Sequence, residues 1–400
     1  MSFAKASVRD AEVDGRRVLV RVDFNVPLAG RQVADDARIR AALPTLELLR
    51  DRDAKLILVS HLGRPEGPDP ELSMKPVAIR LAELLGTAVR VAPGVVGPEV
   101  EALAEELGPG EVLMLENSRF EAGETANDPE LSAALARLAD IYVNDAFGAA
   151  HRAHATTAGV ARLLPAYAGL LLEREVTELT SVRDDPAPPL RVVLGGAKVN
   201  DKIGVIERFL DAADRIMIGG AMAFSFFKQQ GVAVGNSLVD DESVGAAGRA
   251  LERAGDSECE LMLPVDLVLG REFSAETEQR DLAGIEVPDG WMGLDIGQRT
   301  ADAYAAETTG AGTVLWNGPM GAFELPPFAA GTRAVAQAIA DAPGTTVAGG
   351  GDSAAALDEF GLTDRLDWVS TGGGASLQLL EGRELPGVAA LLDRQAAGSR

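Results

Sequence analysis

The sequence predicts an α/β protein of two doubly wound, Rossmann-like parallel-sheet domains joined by a hinge helix. Short runs of Val, Ile and Leu alternate with stretches that carry apolar residues at helical spacing, which is typical of parallel sheets covered by helices on both faces. About ten such runs are present, more than one sheet of common size needs. A proline-rich segment, residues 184–189, interrupts the pattern near the middle of the chain.

The individual elements follow in chain order. Buried strands are expected at residues 18–22, 56–59, 112–115 and 141–143, and again at 191–194, 216–218, 261–269, 313–316, 346–348 and 368–369. Amphipathic helices are expected at residues 39–50, 131–139, 203–212 and 331–340. The hinge helix is expected at residues 170–182, just before the proline-rich segment. The two domains are therefore predicted to cover residues 1–170 and 171–387.

The composition excludes several classes of protein. The 61 acidic residues exceed the 37 basic ones, and a net charge of -24 would repel nucleic acid and anionic lipid. The longest uncharged apolar segment has about ten residues, far fewer than the ~20 that span a bilayer. Cys259 is the only cysteine, which favours a reducing compartment, and the N-terminus carries no secretory signal. We expect a cytoplasmic protein that binds small molecules, without nucleic acid or membrane partners.

Basic side chains follow three predicted strands of the first half. Arg64, Arg119 and Arg152 each stand in a loop after a strand, and these loops also hold all three histidines of the chain, His61, His151 and His154. Ligands bind at the carboxyl ends of parallel strands, and guanidinium groups match phosphate or carboxylate oxygens. The pattern predicts a pocket for a small polyanion, which Arg38 would join from the start of its helix. Asp23 and Asn25, which follow the first predicted strand, are also typical of a simple turn, because their side chains can accept from turn amides.

Glycine-rich turns follow the strands of the second half. Lys198 and Lys202, two of only six lysines, come after such a turn, and their spacing would place both ammonium groups on one helical face. Residues 349–353 (GGGDS) run from a strand into a helix, which favours phosphate, and Asp352 is a candidate magnesium ligand. Residues 372–374 are three more glycines, and the turns at 218–222 and 317–321 are candidate walls of an adenine site. Together these features favour a two-substrate phosphoryl-transfer enzyme.

The motifs in this order resemble the phosphoglycerate kinase family. The matching segments read RVDFNVP, RIRAALPT, SHLGRP, ENSRF, NDAFGAAHRAH, LGGAKVNDKI, GWMGLD, LWNGPMGAFE, GGGDS and STGGGASL. The resemblance implies an N-terminal domain that binds 3-phosphoglycerate or 1,3-bisphosphoglycerate and a C-terminal domain that binds MgADP or MgATP. It also implies closure of the domains across a hinge, and a C-terminal segment, residues 388–400, that packs back on the N-terminal domain.

The resemblance further implies roles for residues whose motifs match. Contacts to the phosphoglycerate are implied for Asp23, Phe24, Asn25, Arg38, His61, Leu62, Gly63, Arg64, Arg119 and Arg152. Contacts to the nucleotide are implied for Lys202, Gly219, Gly220, Gly293, Asn317, Glu324, Gly350, Gly351, Asp352 and Ser353, with Glu324 on the ribose and Asp352 on Mg²⁺. A catalytic role is implied for Arg38, Lys198, Gly372, Gly373 and Gly374.

The sequence departs from the family's usual pattern at three positions. Ser353 stands where Thr is common and keeps the hydroxyl, and Ser118 replaces an apolar residue without affecting Arg119. Ala221 stands where a third glycine often occurs, and its methyl group could narrow the adenine site or shift nucleotide preference.

The expected activity is that of a monomeric phosphoglycerate kinase. In the direction that consumes ATP the nucleophile is a carboxylate already ionised at neutral pH, so no general base is required. A nucleotide-binding paralogue without activity is one alternative, although Arg38, Lys198 and Asp352 are all present. A kinase that forms a different acyl phosphate is the other, and an assay with other acceptor acids would separate it.

Overall fold

The computed structural model describes residues 3–394, and the chain divides into two compact units. The first unit comprises the described residues up to Thr177 together with those from Glu384 onward, and the second unit is Glu178–Arg383. The boundaries expected from the sequence, 170 and 387, lie near these divisions. Residues 395–400 of the expected C-terminal segment lie outside the described part of the chain.

The first unit is built around a parallel sheet. Its strands are β1 (Arg17–Arg21), β2 (Leu28–Ala29), β3 (Gln32–Val33), β4 (Lys55–Val59), β5 (Val89–Val91), β6 (Val112–Met114), β7 (Ile141–Asn144) and β8 (Ala166–Ala168). Its helices include α1 (Ala37–Asp51), α2 (Lys75–Leu85), α3 (Pro98–Glu105), α4 (Gly123–Ala126) and α5 (Pro129–Arg137). Six strands form the sheet in the order β5-β6-β4-β1-β7-β8, while β2 and β3 form a small hairpin. The strands β4, β5 and β6 lie on one side of β1, and β7 and β8 lie on the other side. The topological switch point is therefore between β1 and β7, and ligands of such sheets bind there.

Helix α6 (Leu170–Asp184) runs from the first unit into the second. Its first turn is held by two side chains of the first unit. The Leu170 amide donates to the Thr45 hydroxyl over 2.9 Å, and the Leu171 amide donates to the Asp145 carboxylate over 2.9 Å. Burial raises the pKa of the Asp145 carboxyl to about 7. Since Thr45 lies on α1 and Asp145 follows β7, the start of α6 is fixed to two elements that also carry predicted ligand residues.

The second unit contains a larger set of elements. Its strands are β9 (Leu190–Leu194), β10 (Arg215–Ile218), β11 (Glu260–Met262), β12 (Leu267–Gly270), β13 (Gln279–Leu282), β14 (Met292–Ile296), β15 (Thr313–Asn317), β16 (Thr345–Gly349) and β17 (Trp368–Ser370). Its helices are α7 (Ile203–Phe209), α8 (Ala223–Gln229), α9 (Asp241–Gly255), α10 (Gln298–Thr308), α11 (Ala330–Ala340), α12 (Gly351–Phe360) and α13 (Gly374–Leu380). The parallel sheet has the order β11-β10-β9-β15-β16-β17, which places its switch point between β9 and β15.

The predicted fold class is confirmed, because each unit has a six-stranded parallel sheet with alternating helices. The central strands are largely apolar and buried on both faces, as in β4, where Leu56, Ile57, Leu58 and Val59 are fully buried. In the second unit Val193, Val314 and Trp316 of the sheet pack with apolar residues of α10, α11 and α12.

The single strand predicted at residues 261–269 is wrong. The structure has β11, which ends at Met262, and β12, which begins at Leu267 and belongs to an antiparallel sheet of order β13-β12-β14. Pro264 lies between them, and proline cannot donate to a ladder of hydrogen bonds. Strands β2, β3, β5, β8, β13 and β14 were not predicted. Of these, β5 and β8 have only three residues each and lie at the two edges of the first sheet.

The segment after Glu384 returns to the first unit. It contains α14 (Pro386–Ala389), and the Asn144 side chain donates to the Gly387 carbonyl over 3.0 Å. The Leu392 amide donates to the Ala166 carbonyl, and the Lys5 ammonium lies 2.8 Å from the Asp393 carboxylate. The first unit is therefore assembled from both ends of the described chain. Among the described residues, no helix is long and apolar enough to cross a membrane.

Candidate functional site

A cavity of about 580 Å³ in the first unit is lined by three arginines from three loops, together with His154 and the carboxylates Glu66 and Glu121. Arg64 follows β4, Arg119 follows β6, and Arg152 and His154 follow β7. All three strands end at the same edge of the sheet, so residues far apart in the sequence meet there. The structure thus brings together the three arginines that the sequence singled out, and the geometry suits an anion with several oxygens.

Side-chain amides hold the loops around this cavity. The Asn117 side chain accepts from the Leu62 amide over 3.1 Å and donates to the Leu62 carbonyl over 2.7 Å. The Asn25 side chain accepts from the Gly63 amide over 2.8 Å. The side chains of Phe24 and Leu62 are buried, so these two residues act through their backbone and their packing rather than through polar groups.

Arg119 lies in a crowded cationic environment. Its guanidinium donates to the Gly63 carbonyl, while its buried Nε has no partner among the described residues. Burial, followed by the charges of Arg152 and Arg21, lowers the pKa of Arg119. A bound anion would relieve this repulsion, which makes the crowding itself an argument for an anionic ligand.

Arg38 and Asp23 form a second polar group at the same edge of the sheet. The Arg38 Nη1 lies 3.3 Å from the Asp23 carboxylate and 3.3 Å from the Asn25 carbonyl. The other Asp23 oxygen is buried and has no hydrogen-bond partner within residues 3–394. Neither residue lines the arginine cavity, so the structure places them beside it rather than in it.

The three histidines are all held toward the neutral form. Burial, followed by the charge of Arg21, puts the pKa of His61 well below its usual 6.5. Burial and Arg152 lower the pKa of His151 and lower that of His154 to about 4. Since none of these rings gains a proton near neutral pH, the positive charge of the site comes from arginine alone.

A cavity of about 760 Å³ in the second unit lies at the switch point of its sheet. Residues singled out from the sequence line it, namely Gly220, Ala221, Gly293, Glu324, Asp352 and, from the turn at 317–321, Pro319, Met320 and Gly321. Its other walls include residues that the sequence did not indicate: Phe224, Asn236, Leu238, Phe273, Met292 and Phe323. Leu238 and Phe273 are 63% and 60% exposed, which is unusual for large apolar side chains and typical of the rim of a ligand pocket.

Two glycines allow the walls of this cavity to approach closely. Gly220 has a φ of 65°, and a Cβ there would lie 2.5 Å from the Gly196 amide nitrogen. A Cβ at Gly293 would lie 2.0 Å from Cζ of Phe224. Any side chain at either position would displace the wall, so the shape of the cavity depends on both glycines.

Lys198 and Lys202 do not lie on one helical face, as their spacing suggested. Helix α7 begins only at Ile203, and residues 198–202 form turns before it. The Lys202 ammonium is buried and donates to the carbonyl oxygens of Gly195 (2.7 Å) and Asn317 (2.8 Å). Lys198 is exposed. The glycine turn after β9 therefore fixes one lysine and leaves the other accessible.

Two residues that were predicted to contact the nucleotide have side chains that bond to the protein backbone instead. The Ser353 hydroxyl accepts from the Gly318 amide over 2.6 Å, and the Asn317 side chain donates to the Gly349 carbonyl over 2.8 Å. They hold the turns after β15 and β16. Asp352, in the first turn of α12, is exposed and lines the cavity, while Gly350 and Gly351 begin the helix beside it.

The remaining predicted glycines lie outside both cavities. Gly219 donates its amide to the Leu194 carbonyl over 2.8 Å and supports the turn after β10. Gly372 and Gly373 lie in the turn after β17, and Gly374 is the first residue of α13. The Gly372 amide donates to the Ser370 hydroxyl over 3.2 Å. These glycines therefore lie at strand ends and line neither of the two cavities described above.

The described residues contain no group of three or more His, Cys, Asp or Glu side chains that could hold a metal ion. Mg²⁺ is commonly bound by one or two carboxylates together with substrate phosphates and water. Asp352 is accessible at the rim of a cavity and beside a helix N-terminus, so it fits that mode of binding.

Comparisons with known proteins cover nearly the whole chain. A sequence model described as phosphoglycerate kinase matches residues 8–383. The chain is 55% identical over 392 residues to a phosphoglycerate kinase of Rubrobacter xylanophilus, covering 98% of this chain and 99% of that relative. It is 53% identical over 394 residues to one of Roseiflexus castenholzii, covering 98% and 100%.

Solved structures give the same result. The fold is similar to phosphoglycerate kinase from Coxiella burnetii, with a TM-score of 0.87 and 39% identity over 98% of this chain and 100% of that one. It is also similar to the enzyme from Pyrococcus horikoshii OT3, with a TM-score of 0.85 and 32% identity over 98% and 99%.

Proposed function

The chain belongs to the phosphoglycerate kinase family, and from this premise we propose that it transfers a phosphoryl group reversibly from 1,3-bisphosphoglycerate to MgADP, giving 3-phosphoglycerate and MgATP. The observation that carries the proposal is the pairing of two sites of different chemistry. The first unit offers a cavity lined by three arginines, and the second offers a largely apolar cavity with Asp352 and a helix N-terminus at its rim.

The arginine cavity is assigned to the phosphate that is not transferred. Arg64, Arg119 and Arg152 supply paired donors to its oxygens. His61 is assigned beside them because it lies in the same loop as Arg64, although it does not line the cavity. Asp23 and Asn25 are assigned to the glycerate moiety, with Phe24, Leu62 and Gly63 shaping the loops beside it. The unpaired Asp23 oxygen is suited to accept from a substrate hydroxyl.

The apolar cavity is assigned to the adenine base. Gly220, Gly293 and their neighbours form its walls, and Glu324, exposed at its rim, is assigned to the ribose. The N-terminus of α12 and Lys202 favour the phosphates, and Asp352 would hold Mg²⁺. When bound, the ion would neutralise part of the charge on the nucleotide phosphates.

The proposed mechanism needs no general base. The accepting carboxylate is ionised at neutral pH, and the low pKa of His154, about 4, makes it an unsuitable proton carrier there. Rate acceleration then depends on in-line positioning, where effective molarity supplies about 7–11 kcal/mol, and on cations that meet the transferred oxygens. Arg38, Lys198 and the amides of Gly372, Gly373 and Gly374 are assigned to that role.

The proposal includes closure of the two units. Each substrate is assigned to its own unit, and transfer requires the reacting atoms to come within about 3–3.5 Å with water excluded. Helix α6 is the segment through which the chain passes from the first unit to the second, and we assign the hinge to it. Closure then assembles Arg38 and Lys198 around the phosphoryl group.

A coupled assay of ATP-dependent phosphorylation of 3-phosphoglycerate tests the activity. Reduction of the acyl phosphate by a coupling dehydrogenase should oxidise NADH only when enzyme, MgATP and 3-phosphoglycerate are all present. A protein without turnover would support the inactive paralogue. For other acceptor acids, release of ADP is measured directly, and faster turnover with one of them would identify a different acyl-phosphate kinase.

We place the enzyme in the cytoplasm as a monomer with small-molecule substrates as its partners. The support is physical: the single cysteine, Cys259, is buried, and the net charge of -24 opposes self-association. Size-exclusion chromatography with light scattering measures the mass directly, and 41.7 kDa is expected.

A further inference from the structure

Arg21 is a fully buried cation of the first unit that the sequence motifs did not assign to any role. It lies at the end of β1, and its guanidinium makes three hydrogen bonds to different parts of the chain. Nε donates to the Thr156 hydroxyl over 3.0 Å, one terminal nitrogen donates to the Val22 carbonyl, and the other lies 2.9 Å from Nδ1 of His61. The orientation of the guanidinium is therefore fixed.

The contact with His61 determines which ring nitrogen carries the proton. A guanidinium has only donors and stays protonated in proteins. The His61 Nδ1 must therefore accept, and the ring proton of the neutral form must lie on Nε2. That nitrogen has no hydrogen-bond partner among the described residues. It is also not one of the polar atoms that are both fully buried and unpaired, so it remains accessible to a ligand.

Charge keeps the ring neutral as well. The ionised groups that face His61 are Arg21 on β1, Arg38 on α1, Arg119 after β6 and Arg152 after β7. All four oppose a further positive charge, and burial acts in the same direction. The pKa of His61 is well below 6.5 for these reasons.

The buried charge of Arg21 is compensated on its other side. Thr156, which accepts from Arg21, donates its hydroxyl to the Glu124 carboxylate over 2.6 Å. The Thr156 amide donates to the second oxygen of the same carboxylate over 3.0 Å. Arg21 thus stands between a buried carboxylate and His61, connected to both by direct or bridging hydrogen bonds.

We propose that Arg21 is a positioning residue that fixes His61 as the neutral, Nε2-protonated tautomer. His61 does not line the arginine cavity but lies in the loop after β4 that carries Arg64 into it. An anion that accepts a hydrogen bond from the Nε2–H of His61 then binds without proton uptake by the ring. The identity of the bound phosphate rests on the function proposed above, whereas the tautomer does not.

The tautomer can be measured in the ligand-free wild-type protein. With ¹⁵N-labelled histidine, long-range ¹H–¹⁵N correlation spectra show only three rings, and the His61→Gln variant identifies the relevant one. We expect a protonated Nε2 and an unprotonated Nδ1, unchanged between about pH 5.5 and about pH 8.5. A protonated Nδ1, or a ring that titrates in this range, would overturn the proposal.

Arg21→Lys tests the role of the guanidinium while keeping the charge. One ammonium cannot reproduce three bonds in different directions, so we expect a mixture of His61 tautomers and about 3- to 10-fold weaker binding of 3-phosphoglycerate. The matched control is Arg17→Lys, on the same strand, where Arg17 pairs with Asp140 over 3.1 Å. Equal affinity in the Arg21 variant and wild type, with an unchanged tautomer, would contradict the assignment.

Replacement of the ring itself provides a test that does not require Arg21 to change. Glutamine can present an N–H near the position of Nε2, and asparagine near that of Nδ1. We expect His61→Gln to retain more affinity for 3-phosphoglycerate than His61→Asn does, and the reverse order would argue against the tautomer. If wild-type protein shows the expected tautomer but binds no 3-phosphoglycerate, the proposed function fails while this inference stands.

Discussion

The Lys202 ammonium donates a hydrogen bond of 2.8 Å to the carbonyl oxygen of Asn317. A second bond to the Gly195 carbonyl connects the carboxyl ends of β9 and β15 through one side chain, at the switch point of the sheet. Burial lowers the pKa of Lys202 to about 8 from its usual 10.5, although the charge of Asp352 opposes the shift. The lysine therefore binds neutral oxygens and titrates close to physiological pH.

Binding of MgADP should cause proton uptake at about pH 8. Phosphate oxygens near Lys202 would raise its pKa again, so about half a proton should enter the complex at a pH equal to the free-enzyme value. Isothermal titration calorimetry in buffers of different ionisation enthalpy measures this uptake. The Lys202→Met variant should lose it, and identical heats in all buffers for the wild type would show that the lysine does not respond to nucleotide.

The same shift predicts how stability depends on pH. Because the folded-state pKa of Lys202 is lowered, the unfolded chain binds more protons between about pH 8 and 10.5. The contribution of Lys202 to the free energy of unfolding should therefore rise with pH across that window. Urea unfolding should show that the free energy of unfolding of wild type, minus that of Lys202→Met, increases between about pH 8 and 10.5. A constant difference across that range would contradict the lowered pKa.

Arg64→Ala should weaken binding of 3-phosphoglycerate by about 10- to 100-fold, the effect of losing charge-assisted hydrogen bonds. Binding of ADP should be unchanged, because that ligand is assigned to the other unit. Calorimetric titration of each ligand alone measures both. Arg137→Ala, which removes an exposed arginine paired with Glu101, is the control. Equal losses for both ligands would point to a folding defect.

Lys198→Ala should reduce kcat by about 10²- to 10³-fold and leave ADP affinity nearly unchanged, because its charge is assigned to the transferred phosphoryl group in the transition state. Steady-state kinetics with both substrates separates kcat from KM. Lys228, also exposed and in the same unit, pairs with Asp241, and Lys228→Ala serves as the control. If the variant lost only ADP affinity, Lys198 would contribute to nucleotide binding and not to stabilisation of the transition state.

Gly293→Ala should raise the KM for ADP by about tenfold and leave the KM for 3-phosphoglycerate unchanged. The added methyl group would lie 2.0 Å from Phe224, so the ring must move into the cavity, and overpacking of this kind costs about 1–3 kcal/mol. Gly284→Ala is the control, since nothing lies within 4 Å of a Cβ there. If ADP affinity survives, the base does not occupy this cavity.

Both substrates together should reduce the radius of gyration more than either substrate alone. Closure must be driven by contacts that exist only in the closed state, so a single ligand shifts the population less. Small-angle X-ray scattering of the free, singly liganded and doubly liganded protein measures the change. An unchanged radius in samples with verified activity would argue against hinge closure.

Buried strands and their polar ends were predictable from the sequence because both patterns are local. Residues 18–20 and 314–316 are continuous apolar runs. Arg64 and Arg119 stand within five residues of strands that the structure places side by side. Of the three-residue edge strands, β17 was predicted from Trp368 and Val369, whereas β5 and β8 were missed. The division of residues 261–269 between two sheets depends on tertiary pairing, with Pro264 as its only local signal.

The apolar walls of the second cavity could not be predicted. Leu238 and Phe273 lie on segments without helical or strand spacing, and only the folded chain brings them to one rim. The helical-face interpretation of Lys198 and Lys202 failed because a spacing of four residues is informative only within a helix, and α7 begins later. The buried Arg21 was passed over because an arginine inside a strand-end motif does not reveal which side chain it contacts.

The return of the C-terminal segment to the first unit affects how the protein is made. The second unit, Glu178–Arg383, is one continuous stretch, whereas the first unit needs residues from both sides of it. Residues 384–394 are synthesised only after the whole second unit. The hydrogen bonds of β8 to Leu392 and of Asn144 to Gly387 therefore cannot form before that point. The second unit can therefore fold first during translation, and the first unit, which contains the arginine cavity, is completed last.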